Sequence, residues 1–167
     1  KRQITGNKVM ENKQDLSEFQ FTLKDNQTNR VLQTVNASQS GGIVFQPIEY
    51  TTTGVYNYTI QEVQGTNNTI TYDTKQYNVQ VTVTRDTKGN LVATQTLPEA
   101  IVFRNQFKPV TVHVTKELTN EANSQTSFTY TINGENKTIK QGQDNTIQVP
   151  RGSKLTLQET NIPQGYK

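Results

Sequence analysis

The 167-residue chain contains no cysteine, so neither a disulfide nor a thiolate metal site can hold its fold. It has a single histidine, His113, and no spacing of His, Asp and Glu that marks a metal site. No metal, no cofactor and no turnover enzyme is expected on that basis. Charge of one sign is scarce as well: 17 Lys and Arg stand against 14 Asp and Glu, for a net charge of +3. The basic residues are scattered and not interleaved with exposed aromatics, which argues against a nucleic-acid partner. There is no apolar run of membrane-spanning length, no signal peptide and no sorting signal. Leu97-Pro98-Glu99-Ala100 lacks the Thr-Gly and the hydrophobic tail that a sortase signal needs. The sequence therefore reads as a mature or trimmed segment with no membrane insertion of its own.

Hydrophobic residues are few, at 31% with a mean hydropathy of −0.77, yet charged residues make up only 19%. Disorder usually needs high net charge together with low hydrophobicity, and that is missing here. The polarity lies in Thr, Asn and Gln that alternate with Val, Ile, Tyr and Phe, the pattern of half-buried strands. Tyr77, Val79, Val81 and Val83 form the most regular alternation, followed by turn residues at Asp86 to Asn90 and a return strand from Leu91. Further strands are predicted at Phe19 to Leu23, Val31 to Val35, Ile43 to Phe45 and from Tyr56, separated by Asp25-Asn26-Gln27, Gly41-Gly42, Gly54 and the 65–68 loop. The fold class is all-β, as immunoglobulin-like sandwich domains in tandem, with no helix longer than a turn or two.

One stretch organises the first half. In a strand over Ile101 to Phe107, Ile101, Phe103, Asn105 and Phe107 share one face, so an asparagine points into an apolar layer. A buried amide without a partner is costly. Two other strands supply candidates: the parity of Tyr56, Tyr58 and Ile60 carries Glu62 inward, and that of Ile4 and Met10 carries Lys8 inward, with Gly6 and Asn7 interrupting the apolar alternation. Taken singly, a terminal lysine is usually solvated, a glutamate after a strand usually sits at its rim, and an asparagine near a strand end often caps a turn.

Their shared parity favours a chemical reading. Desolvation lowers the pKa of an amine and raises that of a carboxyl group, so Lys8 becomes a neutral nucleophile and Glu62 a neutral acid. Protonated Glu62 is expected to hydrogen-bond the Asn105 side-chain carbonyl and to shuttle protons while the amine attacks and ammonia leaves. The product is a Lys8–Asn105 amide.

The span from about Lys8 to Phe107 resembles the isopeptide-linkage domain of streptococcal pilins and other Gram-positive surface adhesins. The stretches "EFQFTL", "GVYNYTIQEV", "ITYDTKQYNVQVTVT", "GNLVAT" and "IVFRNQF" follow that pattern in order. By this resemblance Lys8 is the donor, Asn105 the acceptor and Glu62 the proton shuttle. It also implies an extracellular place on the cell wall or cell surface, and a structural role as a pilin subunit or adhesin stalk.

The pattern restarts after Lys108-Pro109, giving domains at 1–107 and 108–167. Val110, Val112, Val114, Lys116 and Leu118 share an expected inward face, and so do Leu155, Leu157 and Glu159, which repeats the inward carboxyl group. This half resembles a collagen-adhesin B-type domain through "VTVHVTKEL", "FTYTI", "TIQVPRGSKLTLQET" and "GYK". The resemblance makes Lys116 and Glu159 a second donor and shuttle. Such domains close with a strand carrying the acceptor, which does not appear before Lys167, so the domain is expected to be C-terminally truncated here and the two domains to form a semi-rigid rod.

The first cross-link would close a ring of roughly a hundred residues, a stabilisation of about 4–5 kcal/mol on the loop-entropy account. Expected partners are other pilin or adhesin subunits, joined through sortase. The lysine that small pilins carry shortly before the closing strand is absent from Leu91 to Ala100, and Lys88 is the nearest substitute. The alternative is a host-ligand-binding adhesin module, which needs an exposed aromatic patch; Tyr50 and Tyr72 are its candidates.

Overall fold

A computed structural model describes residues 1–97, 99–121 and 123–166, so Pro98 of the segment weighed above as a sortase signal lies outside the described residues. The described residues form strands and no helices, in two compact units, Lys1–Gln106 and Phe107–Lys167.

In the first unit, β1 (Thr5–Met10), β4 (Gly42–Val44), β6 (Ile70–Thr71) and β9 (Val102–Phe107) make one sheet, in the order β4-β1-β9-β6. β2 (Gln20–Asp25), β3 (Arg30–Asn36), β5 (Gly54–Glu62), β7 (Gln76–Arg85) and β8 (Leu91–Thr96) make the other, in the order β3-β2-β5-β7-β8. The first and last strands lie side by side: β1 runs parallel to β9, with Lys8 opposite Phe103 and Met10 opposite Asn105. Every pairing within the five-stranded sheet is antiparallel.

The alternation read from sequence is what the two sheets bury between them. Tyr77, Val79, Val81 and Val83 of β7 are buried, as are Phe19, Phe21 and Leu23 at β2 and Ile101 and Phe103 at β9. Each large apolar side chain moved out of water is worth about 1.5–3 kcal/mol, and their concentration on one face of each sheet is what selects the register. Phe103 contacts both Phe21 and Tyr77, each with ring centroids 5.1 Å apart. Tyr77 also locks β7 to β9 through its hydroxyl, which donates to Val102 O at 2.6 Å and accepts from Val102 N at 3.1 Å.

Gly6 shares the inward parity of Ile4, Lys8 and Met10 and does not break it. A Cβ placed there would lie 2.6 Å from Ile101 Cγ2 and 3.1 Å from Ile101 O, so the bare backbone lets the two strands close on each other. Gly41, at φ +104°, packs against the Lys8 carbonyl on the other side, and its own carbonyl accepts from Lys8 N at 2.6 Å. Lys8 is thus fixed by its backbone on both flanks.

The second unit has β10 (Val110–Thr115) paired antiparallel with β13 (Asp144–Val149), and a sheet β12-β11-β14 of Glu135–Ile139, Phe128–Ile132 and Leu157–Thr160. Its core is Phe128, Tyr130, Ile132 and Ile139, packed by Val114, Leu118, Ile147 and Tyr166. Tyr166, from the "GYK" stretch, meets the Phe128 ring edge-on with centroids 5.0 Å apart. The pairings repeat those of the first unit: β10 with β13 matches β1 with β4, and β12-β11-β14 matches β3-β2-β5.

One expectation fails in this unit. Leu155 and Leu157 are 37% and 57% exposed, and Glu159 is exposed too. In the first unit the corresponding strand, β5, is paired on its far edge by β7, whereas among the described residues no strand pairs with that edge of β14.

Candidate functional site

Burial in the first unit has an exception that is charged. Lys8, Glu62 and Asn105 are 2%, 3% and 3% exposed, and they sit together between the sheets. β1 supplies the lysine, the end of β5 the glutamate and β9 the asparagine, each because its strand's apolar parity carries it inward.

Lys8 Nζ lies 3.0 Å from Glu62 Oε2, with no solvent access to either side chain. The amine stands over the Phe19 ring, 4.9 Å from its centroid. Asn105 Nδ2 donates to Glu62 Oε2 at 3.1 Å. Glu62 therefore touches both of the other groups through one oxygen. Its second oxygen, Oε1, accepts from the backbone N–H of Asp73 at 3.0 Å.

Desolvation dominates the ionisation of the pair. It lowers the Lys8 amine below its ordinary pKa, against the opposing attraction of Glu62 and Asp73. It raises the Glu62 carboxyl, against its bonds to Lys8, Asp73 N and Asn105. Both shifts favour a neutral amine beside a protonated acid, the state in which the amine has a free electron pair and the acid a proton to give.

The orientation of Asn105 corrects one expectation. Its carbonyl oxygen does not face Glu62; Oδ1 accepts from Asp73 N at 2.8 Å, and the amide nitrogen faces the carboxyl group. The reason is the 72–75 loop, whose Asp73 N–H is already aimed into the site and takes the carbonyl. The reversal puts the amide nitrogen beside the acid and the carbonyl beside a fixed donor. Asp73 is absent from the sequence reading because it acts through its backbone, which side-chain alternation does not register.

In the second unit, Lys116 and Glu159 also meet, with Nζ 3.1 Å from Oε1. Lys116 stands over the Phe128 ring at 4.5 Å, as Lys8 does over Phe19. These side chains are 23% and 36% exposed, unlike the sealed pair in the first unit. Among the described residues no asparagine is hydrogen-bonded to either. His113 is exposed and pairs with Asp144 at 3.0 Å. Among the described residues no group of three or more His, Asp or Glu side chains is placed to hold a metal ion, and no helix is long and apolar enough to cross a membrane.

Tyr50 and Tyr72 are half-buried and engaged. Tyr50 packs against Tyr56 with the rings tilted and centroids 4.7 Å apart and shares a 2.8 Å hydrogen bond with Tyr58, while Tyr72 meets the Phe19 ring edge-on. The exposed aromatic patch that a ligand-binding module needs is not formed by these residues.

Comparison with known proteins gives four findings. The chain resembles the major pilin T-13 of Streptococcus pyogenes at 18% identity and a TM-score of 0.46, over 100% of this chain and 84% of that one. A second S. pyogenes major pilin structure aligns at 17% identity and a TM-score of 0.47, over 95% of this chain and 73% of that one. No curated protein matches the chain. A sequence model of the FctA family, described as Spy0128-like isopeptide containing domain, matches residues 4–108, which span every strand of the first unit and all three members of its buried cluster. The chain belongs to the FctA family of isopeptide-containing domains.

Proposed function

We propose that Lys8 and Asn105 are joined by a self-formed amide, with Glu62 as the proton shuttle, and that the chain serves as a cross-linked structural subunit or stalk segment of a surface fibre. The observation that carries this reading is the sealed contact of a lysine amine, a glutamate and an asparagine amide within one apolar core. A buried ion pair is a weak source of stability, so the arrangement calls for a chemical explanation.

The neutral Lys8 amine attacks Asn105 Cγ and forms a tetrahedral intermediate. Glu62 accepts a proton from the attacking nitrogen and delivers one to Nδ2, which it already contacts at 3.1 Å. The Cγ–Nδ2 bond breaks, ammonia leaves and the Nζ–Cγ amide remains. Glu62 ends as it began, but each molecule reacts once, so this is self-modification without turnover.

The bond would tie β1 to β9, the first and last strands of the unit. Tension applied at the two ends of the unit would pass through a covalent link between neighbouring strands and bypass the hydrogen-bonded ladders. That suits a cell-surface pilus or adhesin stalk, with other subunits as partners. Sortase-mediated joining and a place in the cell wall belong to the same proposal.

The matching strand order of the second unit supports a related reading there. Lys116 and Glu159 would form a donor and shuttle pair, and the edge of β10 that no strand pairs with among the described residues is where a parallel strand bearing an asparagine would pair, as β9 does with β1. The test for both units is the denatured intact mass: the chain should lack one ammonia and not two, with the missing ammonia mapped to Lys8 and Asn105.

A further inference from the structure

We propose that the backbone N–H of Asp73 is the oxyanion donor of the cross-linking reaction, and that the Asp73 carboxylate is a positioning group that holds this donor on the acceptor. This rests on the Lys8–Asn105 reading above and adds a catalytic group to it.

The reaction needs such a donor. When the Lys8 amine adds to Cγ, negative charge collects on Oδ1, and in a dry core nothing stabilises that charge unless a dipole is already aimed at it. Asp73 N sits 2.8 Å from Oδ1 and also reaches Glu62 Oε1 at 3.0 Å. One N–H thus spans the acceptor carbonyl and the acid. While Glu62 carries its proton it is the weaker acceptor of the two, and as Oδ1 gains charge the N–H bond to it becomes charge-assisted. The donor strengthens its hold in step with the charge that develops, which is what distinguishes catalysis from ground-state binding.

The placement of the donor is maintained by Asp73 itself. Its Oδ1 accepts from Lys75 N at 2.8 Å, closing a local turn, and its Oδ2 accepts from Arg104 N at 2.7 Å, on the residue next to the acceptor. Gln64 Nε2 donates to Asp73 O at 2.9 Å. Both carboxylate oxygens are engaged, one within the loop and one on β9, so the loop and the acceptor strand move as one piece. A surface turn would need only the first of these bonds.

The test compares three full-length chains assembled by ligation, folded by dilution from guanidinium and followed by the rate of ammonia loss in intact mass. One is the natural sequence. The second carries the α-hydroxy analogue of aspartate at position 73, which replaces the N–H by an ester oxygen and leaves the side chain intact. The third is Asp73→Asn, which keeps the N–H but has a single oxygen to hold both the Lys75 and Arg104 amides. The ester chain, once folded by circular dichroism, is expected to cross-link roughly a hundredfold more slowly, the usual loss for one oxyanion donor. Asp73→Asn is expected to react several-fold more slowly on the plateau of its pH profile, and that profile is expected to move to lower pH, because the Asp73 charge is one of the attractions that hold the Lys8 pKa up.

A folded ester chain that reacts at the natural rate overturns the inference and leaves the Lys8–Asn105 bond standing. If the natural chain itself loses no ammonia, both fall. Should the ester chain not fold, Asp73→Asn decides, and the natural rate in that folded variant overturns the proposal.

Discussion

Lys8 Nζ and Glu62 Oε2 stand 3.0 Å apart with neither side chain reached by solvent. Two ionisable groups buried this deeply are held either as an ion pair with a large desolvation cost or as a neutral acid and amine, and here desolvation is the leading influence on both. The pair is strained as a stabilising device and well suited as a reactive one.

Removing one partner should therefore hurt more than removing the acceptor. Glu62→Ala prevents bond formation and also leaves the neutral Lys8 amine without a partner in an apolar site, a further cost of about 1–3 kcal/mol beyond the lost ring. Asn105→Ala leaves the pair intact and loses the ring, worth about 4–5 kcal/mol on the loop-entropy account. Urea denaturation should place Glu62→Ala below Asn105→Ala in stability, with neither variant lacking ammonia; the opposite order would show that Glu62 is not compensating Lys8.

The cross-linked protein should keep an unusual carboxyl group. Once the amide forms, Lys8 no longer titrates, and its charge no longer pulls the Glu62 pKa down, so desolvation holds that pKa above the ordinary 4.5. Between 4.5 and the raised value the folded state retains a proton that the unfolded state has released. The contribution to stability is thus fully present below 4.5 and is lost as pH rises through the folded pKa. Carbon-13 NMR of the Glu62 carboxyl should show a midpoint above 4.5; a midpoint at or below it would remove the proton donor from the mechanism.

Gly6→Ala should separate β1 from β9. The added methyl meets Ile101 Cγ2 at 2.6 Å and the Ile101 carbonyl at 3.1 Å, and overpacking of this kind costs about 1–3 kcal/mol. Because the same separation draws Lys8 away from Asn105, ammonia loss should slow along with the fall in thermal midpoint. A variant destabilised but cross-linking at the natural rate would show that the strand spacing at Gly6 does not govern the approach of the amine.

Much of this was legible in the alternation of side chains. A period of two places Lys8, Glu62 and Asn105 on apolar faces with no knowledge of the sheets, because each lies in register with neighbours such as Ile4, Ile60 and Phe103 that have nowhere else to go. The same logic fails where the information is not in side-chain polarity. Asp73 enters the site by its backbone, and β6, only Ile70–Thr71, is too short to show a period. Gly6 reads as a gap because it has no side chain, although it keeps the inward parity and is required by the approach of Ile101. Leu155 and Leu157 have the right parity yet remain exposed, since parity chooses a face and only a packed neighbour buries it.

The most direct test is the intact mass of the full chain under denaturing conditions, beside Asn105→Ala. The natural sequence should fall short of its composition mass by one ammonia and yield, on peptide mapping, a branched peptide joining Lys8 to Asn105, while the variant shows its full mass. A natural chain with no deficit would contradict the account and leave the three groups as a buried hydrogen-bonded cluster.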